Sequence, residues 1–216
     1  SRTDTGDSYG SVMRVSDAPY PSEEAVREAL GAFEGHITQK TPAYSAVKHQ
    51  GAKLYQLARR GIEVAPKHRE ITIHETQYMH QTRDNAHLLR IVCGKGTYIR
   101  QLCEDLGESL ENPAYMSFLV RTKCAGLDIS QSFSADELKA MGRSIKDALL
   151  PMDGFLAGLP RADADPKHRT ALINGNTVSD DGGDLSEACI FVGGSLLGIG
   201  QRLGGQLKIS TLLVER

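Results

Sequence analysis

Leu88 to Gly107 constrains the fold more than any other stretch, because its hydrophobic period changes once, in the middle. Leu88 to Cys93 is mostly apolar and reads as a buried strand, whereas beyond Gly94-Lys95-Gly96 the period is helical and carries Ile99, Leu102, Cys103 and Leu106 on one side. A strand therefore runs into a helix. Two glycines at the junction permit a tight turn and a close approach of a ligand to the backbone, and the start of the helix offers unpaired N–H groups to an anion. Lys95, Thr97, Tyr98 and Arg100 crowd that junction. A single Gly-x-Gly is equally compatible with an ordinary turn whose charges are solvated.

Charge is the compositional fact that bears on function. The chain of 216 residues has a net charge of −2, yet His36 to Arg100 holds eleven Lys and Arg against four Asp and Glu, a local +7 that leaves −9 elsewhere. Six of the seven histidines share that window. A basic region in a mildly acidic chain suits a partner that carries phosphates, nucleic acid first among them, although a solvated basic face has the same composition. With 40% hydrophobic and 24% charged residues the composition is globular, and no apolar run approaches the roughly eighteen residues of a membrane span, so a soluble protein is expected. Ser-Arg-Thr-Asp-Thr-Gly-Asp at the start has neither a signal-peptide core nor transit-peptide character. Cys93, Cys103, Cys124 and Cys189 form no Cys-x-x-Cys pair, which predicts reduced, buried thiols rather than a disulfide frame or a zinc site.

Local signals place the other elements. Gly6-Asp7 and Tyr9-Gly10 mark turns before a short strand over 11–15, and Ser22 caps a helix that runs to about Leu30 with Val26 and Leu30 inward. A second helix is predicted over 52–60, ended by Gly61, then strands over 69–79 and 87–93 joined by a turn at Arg83 to Ala86. Ser134-x-x-Glu137 is a capping box with Phe133 and Leu138 placed as its staple. Pro151 to Pro160 reads as a boundary; after it come a predicted helix over 161–174 and short apolar runs punctuated by Gly193-Gly194 and Gly204-Gly205, a small β-rich module of about fifty residues.

Three stretches gain meaning together: Arg2-Thr3-Asp4-Thr5-Gly6-Asp7; Thr41-Pro42-Ala43-Tyr44-Ser45-Ala46-Val47-Lys48 running on to Leu54-Tyr55 and Arg59-Arg60-Gly61; and Cys93-Gly94-Lys95-Gly96-Thr97-Tyr98-Ile99-Arg100. In this order the chain resembles the bacterial TruB family of tRNA pseudouridine synthases, a likeness that extends to Tyr115 through Thr122. It implies an α+β fold with a mixed, mainly antiparallel sheet and flanking helices. Residues 1–152 would be the pseudouridine synthase domain, incomplete at its N-terminus and bearing an RNA-gripping arm near 36–60; residues 160–216 would be a PUA-like RNA-binding module. It implies isomerisation of uridine 55 in the T-loop of tRNA to pseudouridine, without a cofactor, on a nucleotide flipped out of the loop. The partner is then the tRNA T-arm, in the cytoplasm, and the protein is expected to be a monomer with no membrane and no obligatory protein partner.

The resemblance also assigns residues. Tyr44 matches the active-site tyrosine that stacks on the base, and Arg100 the arginine that pairs with the catalytic aspartate. Tyr98 and Leu119 match residues that line the base pocket, with plain core positions as the other reading. Lys95 and Lys48 fall where phosphates pass; Arg59 and Arg60 belong to the wider basic footprint with Lys40, His49, Lys53, Lys67 and Arg69. The family's catalytic aspartate lies in a Gly-x-Leu-Asp-Pro motif upstream of the Arg-x-Asp-Thr-x-Asp segment; no Leu-Asp-Pro occurs in these 216 residues, so the catalytic carboxylate is expected to be absent and Arg100 to lack its partner. A non-catalytic tRNA-binding remnant is the alternative. A metal-dependent hydrolase using the clustered histidines is a third reading, for which only His74 and His80, evenly spaced on a strand, offer a pair.

Overall fold

In the computed structural model, residues 1–49, 51–62, 64–82 and 85–215 are described, the side chain of Asp153 apart. Two compact units result, Ser1–Val120 and Arg121–Arg216, so residues 121–152 group with the second.

The first unit opens with an antiparallel pair, β1 (Arg2–Thr3) and β2 (Val12–Arg14). Helix α1 (Glu23–Gly31) follows where the sequence places it: the Ser22 side chain accepts the Ala25 N–H, and Glu23 and Glu24 occupy the positive first turn. Next come β3 (Gly35–Lys40), the two-stranded ribbon β4 (Lys48–His49) and β5 (Ala52–Lys53), and α2 (Leu54–Arg59). The predicted helix over 52–60 is shorter by the two residues the ribbon takes, and Gly61 beyond it has φ +68°, as its turn requires.

Strands β6 (His68–Gln81) and β7 (His87–Cys93) form a hairpin whose turn residues Arg83 and Asp84 lie outside the described residues. With β3 they make an antiparallel sheet of order β3-β6-β7, and α3 (Ile99–Ser109) begins six residues after β7. β7 is an edge strand rather than a buried one. Leu89, Ile91 and Cys93 face the core, while Leu88 is exposed and Arg90 pairs with Glu75 across the hairpin, so the run alternates. One face of the sheet carries both helices. Val26 and Leu30 of α1 pack with Tyr78 and Leu106, and Leu102 of α3 packs with Ile71 and Ile73. Each such side chain removed from water contributes about 1.5–3 kcal/mol.

The second unit begins with a small pair, β8 (Lys123–Cys124) and β9 (Leu127–Asp128), then α4 (Ala135–Met141) behind the expected capping box, in which Ser134 and Glu137 bind each other's backbone N–H. Cys124 is exposed and Cys93 and Cys103 are half-buried, unlike the buried thiols that the sequence suggests; Cys189 is buried. After the short helix α5 (Met152–Phe155) the sequence and the structure part company. Residues 161–164 are not helical but form strand β10 (Arg161–Ala164), parallel to β12 (Leu185–Val192); only Arg169–Ile173 is α-helical, as α6. The reason is the alternation: Ala162 and Ala164 are buried while Arg161 and Asp163 face out and pair. The sheet is completed by β11 (Val178–Ser179), β13 (Ser195–Leu203) and β14 (Gln206–Leu212), in the order β10-β12-β13-β14-β11. Gly193-Gly194 and Gly204-Gly205 all have positive φ, the requirement of two-residue hairpin turns. Ile190, Leu197, Leu207 and Leu172 form this module's own core.

Candidate active site

The junction between β7 and α3 is held by an amide. The Gln39 side chain, 1% exposed, accepts the Tyr98 N–H at 2.8 Å and donates to the Tyr98 carbonyl at 3.1 Å, imitating a strand partner for one residue. Gly94 N–H donates to the Thr72 carbonyl, the Thr97 hydroxyl returns to the Gly94 carbonyl, and Gly96 adopts φ +85°. Arg100 thereby leaves the first turn of α3 in a fixed direction.

That direction leads to two loops. Nη1 donates to Asp7 Oδ2 at 2.9 Å and to the Thr5 carbonyl at 3.1 Å, and Nη2 donates to the Tyr44 carbonyl at 2.7 Å. The expectation of an unpaired Arg100 is overturned. Asp7 is its partner, with side chains 24% and 18% exposed, in a turn that the sequence shows only as a turn. Burial alone raises the Asp7 carboxyl, but bonds from the Thr5 hydroxyl, the Tyr9 N–H and Arg100, together with the Arg100 charge, outweigh it and hold the group below the usual carboxylate range.

The turn itself is anchored on three sides. Thr3 Oγ1 donates to the Asp7 carbonyl, the Met116 N–H donates to the Gly6 carbonyl, and the Ser8 N–H donates to the Met116 carbonyl. Gly6 has φ +72°, and a Cβ there would stand 3.0 Å from Glu104 Oε1, so only glycine fits. Glu104 is held by Arg2 at 3.1 Å; burial raises its carboxyl, an effect that Arg2 opposes.

The remaining residues singled out from the sequence lie at different distances from this centre. Tyr98 is half-buried at the N-cap of α3 with the Arg69 guanidinium 5.6 Å from its ring centroid. Tyr44 is half-buried and tied to Arg100 by its backbone. Leu119 is 54% exposed and is not a core residue. Lys95 is exposed in the glycine turn, Lys48 on the ribbon, and Arg59 and Arg60 at the end of α2. Among the described residues, no group of three His, Cys, Asp or Glu side chains could hold a metal ion, and both His74 and His80 are exposed on β6, whose pairing with β7 shifts register twice between Ile73 and His80. Gln39 is a contributor that the sequence reading passes over, and Asp7 one that it assigns only to a separate turn.

Chemically, the centre is a cation whose position is fixed by two backbone carbonyls and one carboxylate. Three contacts engage part of the guanidinium fork, which can still donate to a further acceptor.

Residues 1–99 match the protein-family model for the TruB family pseudouridylate synthase N-terminal domain, and residues 100–157 that for the tRNA pseudouridylate synthase B C-terminal domain. The chain belongs to the TruB family. Among its relatives, tRNA pseudouridine synthase B of Azoarcus sp. (strain BH72) is 34% identical over 216 residues, 99% of this chain and 71% of that protein. The protein of the same name from Dehalococcoides mccartyi (strain CBDB1) is 39% identical over 188 residues, 86% of this chain and 62% of that one, and that from Alkaliphilus oremlandii (strain OhILAs) 35% identical over 176 residues, 82% and 58%. The chain thus spans about three-fifths to seven-tenths of these TruB relatives. Its fold is also that of more distant structures: an H/ACA RNP bound to a substrate RNA containing 2'-deoxyuridine, at TM-score 0.66 and 16% identity over 92% of this chain and 63% of that one, and a Cbf5-Nop10-Gar1 complex, at 0.62 and 19% over 93% and 62%.

Proposed function

We propose that this chain serves tRNA pseudouridine synthesis, isomerising uridine 55 of the T-loop after the nucleotide is flipped out of its stack. The observation that carries the reading is Arg100, fixed between Asp7 and the Tyr44 carbonyl at the strand-to-helix junction of a TruB-family chain. Its free donors suit a second carboxylate, which a guanidinium holds ionised and oriented beside the reacting sugar. In this reading Tyr44 stacks on the base, Tyr98 and Leu119 line its pocket, and Lys95, Lys48, Arg59 and Arg60 meet phosphates. The reacting carboxylate is read as neither acid of the opening turn. Asp7 already accepts from Thr5, Tyr9 and Arg100, and Asp4 accepts the Ser11 N–H at 2.8 Å, so both are occupied in holding the turn.

The division of labour proposed for the chain assigns the chemistry to residues 1–152 and RNA binding also to 160–216 as a PUA-like module; a separate sheet and core support its being a module of its own. The cytoplasm, where tRNA is modified, and a monomer without an obligatory protein partner complete the reading. The second reading, a tRNA-binding protein without turnover, is favoured by one observation: Arg100 is paired with Asp7, and among the described residues no further carboxylate bonds to it.

Tritium release from C5-labelled uridine in a T-arm transcript separates the two. Release at stoichiometric enzyme supports isomerisation and shows that a carboxylate within these residues performs it, with Asp4 and Asp7 the first to substitute. Binding without release supports the gripping role, with the reacting aspartate elsewhere. Absence of binding rejects both.

A further inference from the structure

The ribbon β4–β5 sets Lys48 directly opposite Lys53, an arrangement that costs stability because like charges face each other across an antiparallel pair. Lys53 and Arg59 both approach the Tyr55 ring, at 5.8 and 5.5 Å from its centroid. Lys48, Lys53 and Arg59 form no ion pair among the described residues. A segment shaped for stability alone would place an acid at one of these positions. Here the Tyr55 ring, rather than an acid, lies beside two of the cations.

Tyr55 is itself well fixed. Its N–H donates to the Ser45 carbonyl at 3.0 Å, and the preceding Leu54, buried, donates to the Val47 carbonyl at 2.8 Å. The same loop carries Tyr44, whose carbonyl accepts from Arg100. The Tyr55 backbone is therefore tied, through the loop that carries Tyr44, to the candidate active site.

We propose that Tyr55 is a positioning residue for RNA binding, its ring holding the Lys53 and Arg59 cations in place so that, with Lys48, they clamp successive phosphates of one RNA strand. The inference rests on the RNA-binding reading above and adds a role for a residue that reading leaves without one. The physical gain is in entropy. Lysine and arginine side chains lose much rotamer freedom when they fix on a phosphate, and a ring that attracts cations through its quadrupole orders them beforehand. An acid would order them as well, but would cancel the charge that binds the strand. The ring orders them and leaves the charge.

The test measures the affinity of the full chain for a T-stem-loop transcript over a range of salt, together with thermal melting. Tyr55→Leu is expected to lower affinity roughly fivefold near 0.1 M salt and to flatten the slope of log K against log salt by about one, because cations left disordered neutralise fewer phosphates and so displace fewer counterions. Tyr55→Phe keeps the ring and is expected to stay within about twofold of the parent. Adding Tyr55→Leu to Lys53→Met plus Arg59→Met should change nothing further, since the ring then has no cations to order. Should Tyr55→Leu melt below the assay temperature, Lys53→Met and Arg59→Met decide singly: each should flatten the slope by about 0.7, and an unchanged slope in both overturns the inference. An unaltered slope in folded Tyr55→Leu, or a loss in Tyr55→Phe equal to that in Tyr55→Leu, also overturns it while the RNA reading stands. A parent chain with salt-independent affinity overturns both.

Discussion

The Arg100 centre and the Lys48–Lys53 ribbon are both basic, and they treat charge in opposite ways. Arg100 is enclosed by a carboxylate and two backbone carbonyls, its side chain 24% exposed, whereas the ribbon cations are exposed and two of them oppose each other. A cation meant to hold one group at one place needs partners that fix it; cations meant to follow a flexible polyanion need to be left available. The difference teaches that the basic window of this sequence is two devices. One is part of the fold and the other is carried by it.

The comparison breaks most visibly at Arg100. In a form of the protein that turns over substrate, Arg100→Ala is expected to lower turnover by at least about 100-fold while RNA affinity stays within a few-fold, because one fixed electrostatic interaction disappears and the cations proposed to bind phosphates remain. A large loss of affinity with turnover intact would place Arg100 among the phosphate-binding residues instead. Gln39→Leu tests whether the junction depends on the amide. Leaving the Tyr98 N–H and carbonyl without partners should cost about 2–3 kcal/mol, seen as a melting temperature lower by several degrees. An unchanged melting temperature would mean that water or a neighbour replaces the amide.

The ribbon side is sharpened by Arg59→Glu with Arg60→Glu, which should flatten the salt dependence of RNA affinity while altering stability by no more than about 0.5 kcal/mol. Proton titration gives the smallest effect. Because the folded-state value of Asp7 is depressed, its stabilisation is complete above the unfolded value of about 3.9 and is lost as pH falls through the lower folded value. The stability gap between the parent and Asp7→Asn should therefore be constant from neutral pH down to about 5 and close only below about 4. Glu104 and Asp105 have the opposite sign, since burial raises both carboxyls and their ionisation weighs against folding at neutral pH. A gap that closes near pH 6 would exclude Asp7 as its source.

Much of the fold is legible residue by residue. Ser22 and Ser134 are found as caps, the paired glycines as hairpin turns, and the change of period at Gly94 as the passage from β7 to α3. These signals are local, and local backbone chemistry decides them. Residues 161–164 escape because alanine favours helices and the strand exists only by pairing with β12, whose nearest partner residue is Cys189. β7 is misjudged as buried because its edge position depends on strand order, which periodicity does not report. In the site, the motifs single out Tyr44 and Arg100, which the structure joins by one hydrogen bond, but that Asp7 lies 93 positions from Arg100 hides their pairing, and nothing in the polar run Thr38-Gln39-Lys40 marks Gln39 as a clamp.

Sequence distance has one more consequence at Arg100. Its bonds to Asp7 and Tyr44 close loops of 93 and 56 positions, whereas the β6–β7 hairpin pairs residues as near as Gln81 and His87. Closing a long loop costs chain entropy before any contact repays it, so the hairpin and its helix can form while the ends of those loops are still apart. Before the opening turn and the Tyr44 loop dock, the guanidinium lacks the three partners it has in the folded unit. An ordered Arg100 is then a sign that the first unit has finished folding, and mutations that slow its final docking should show at this residue before they show in the sheet.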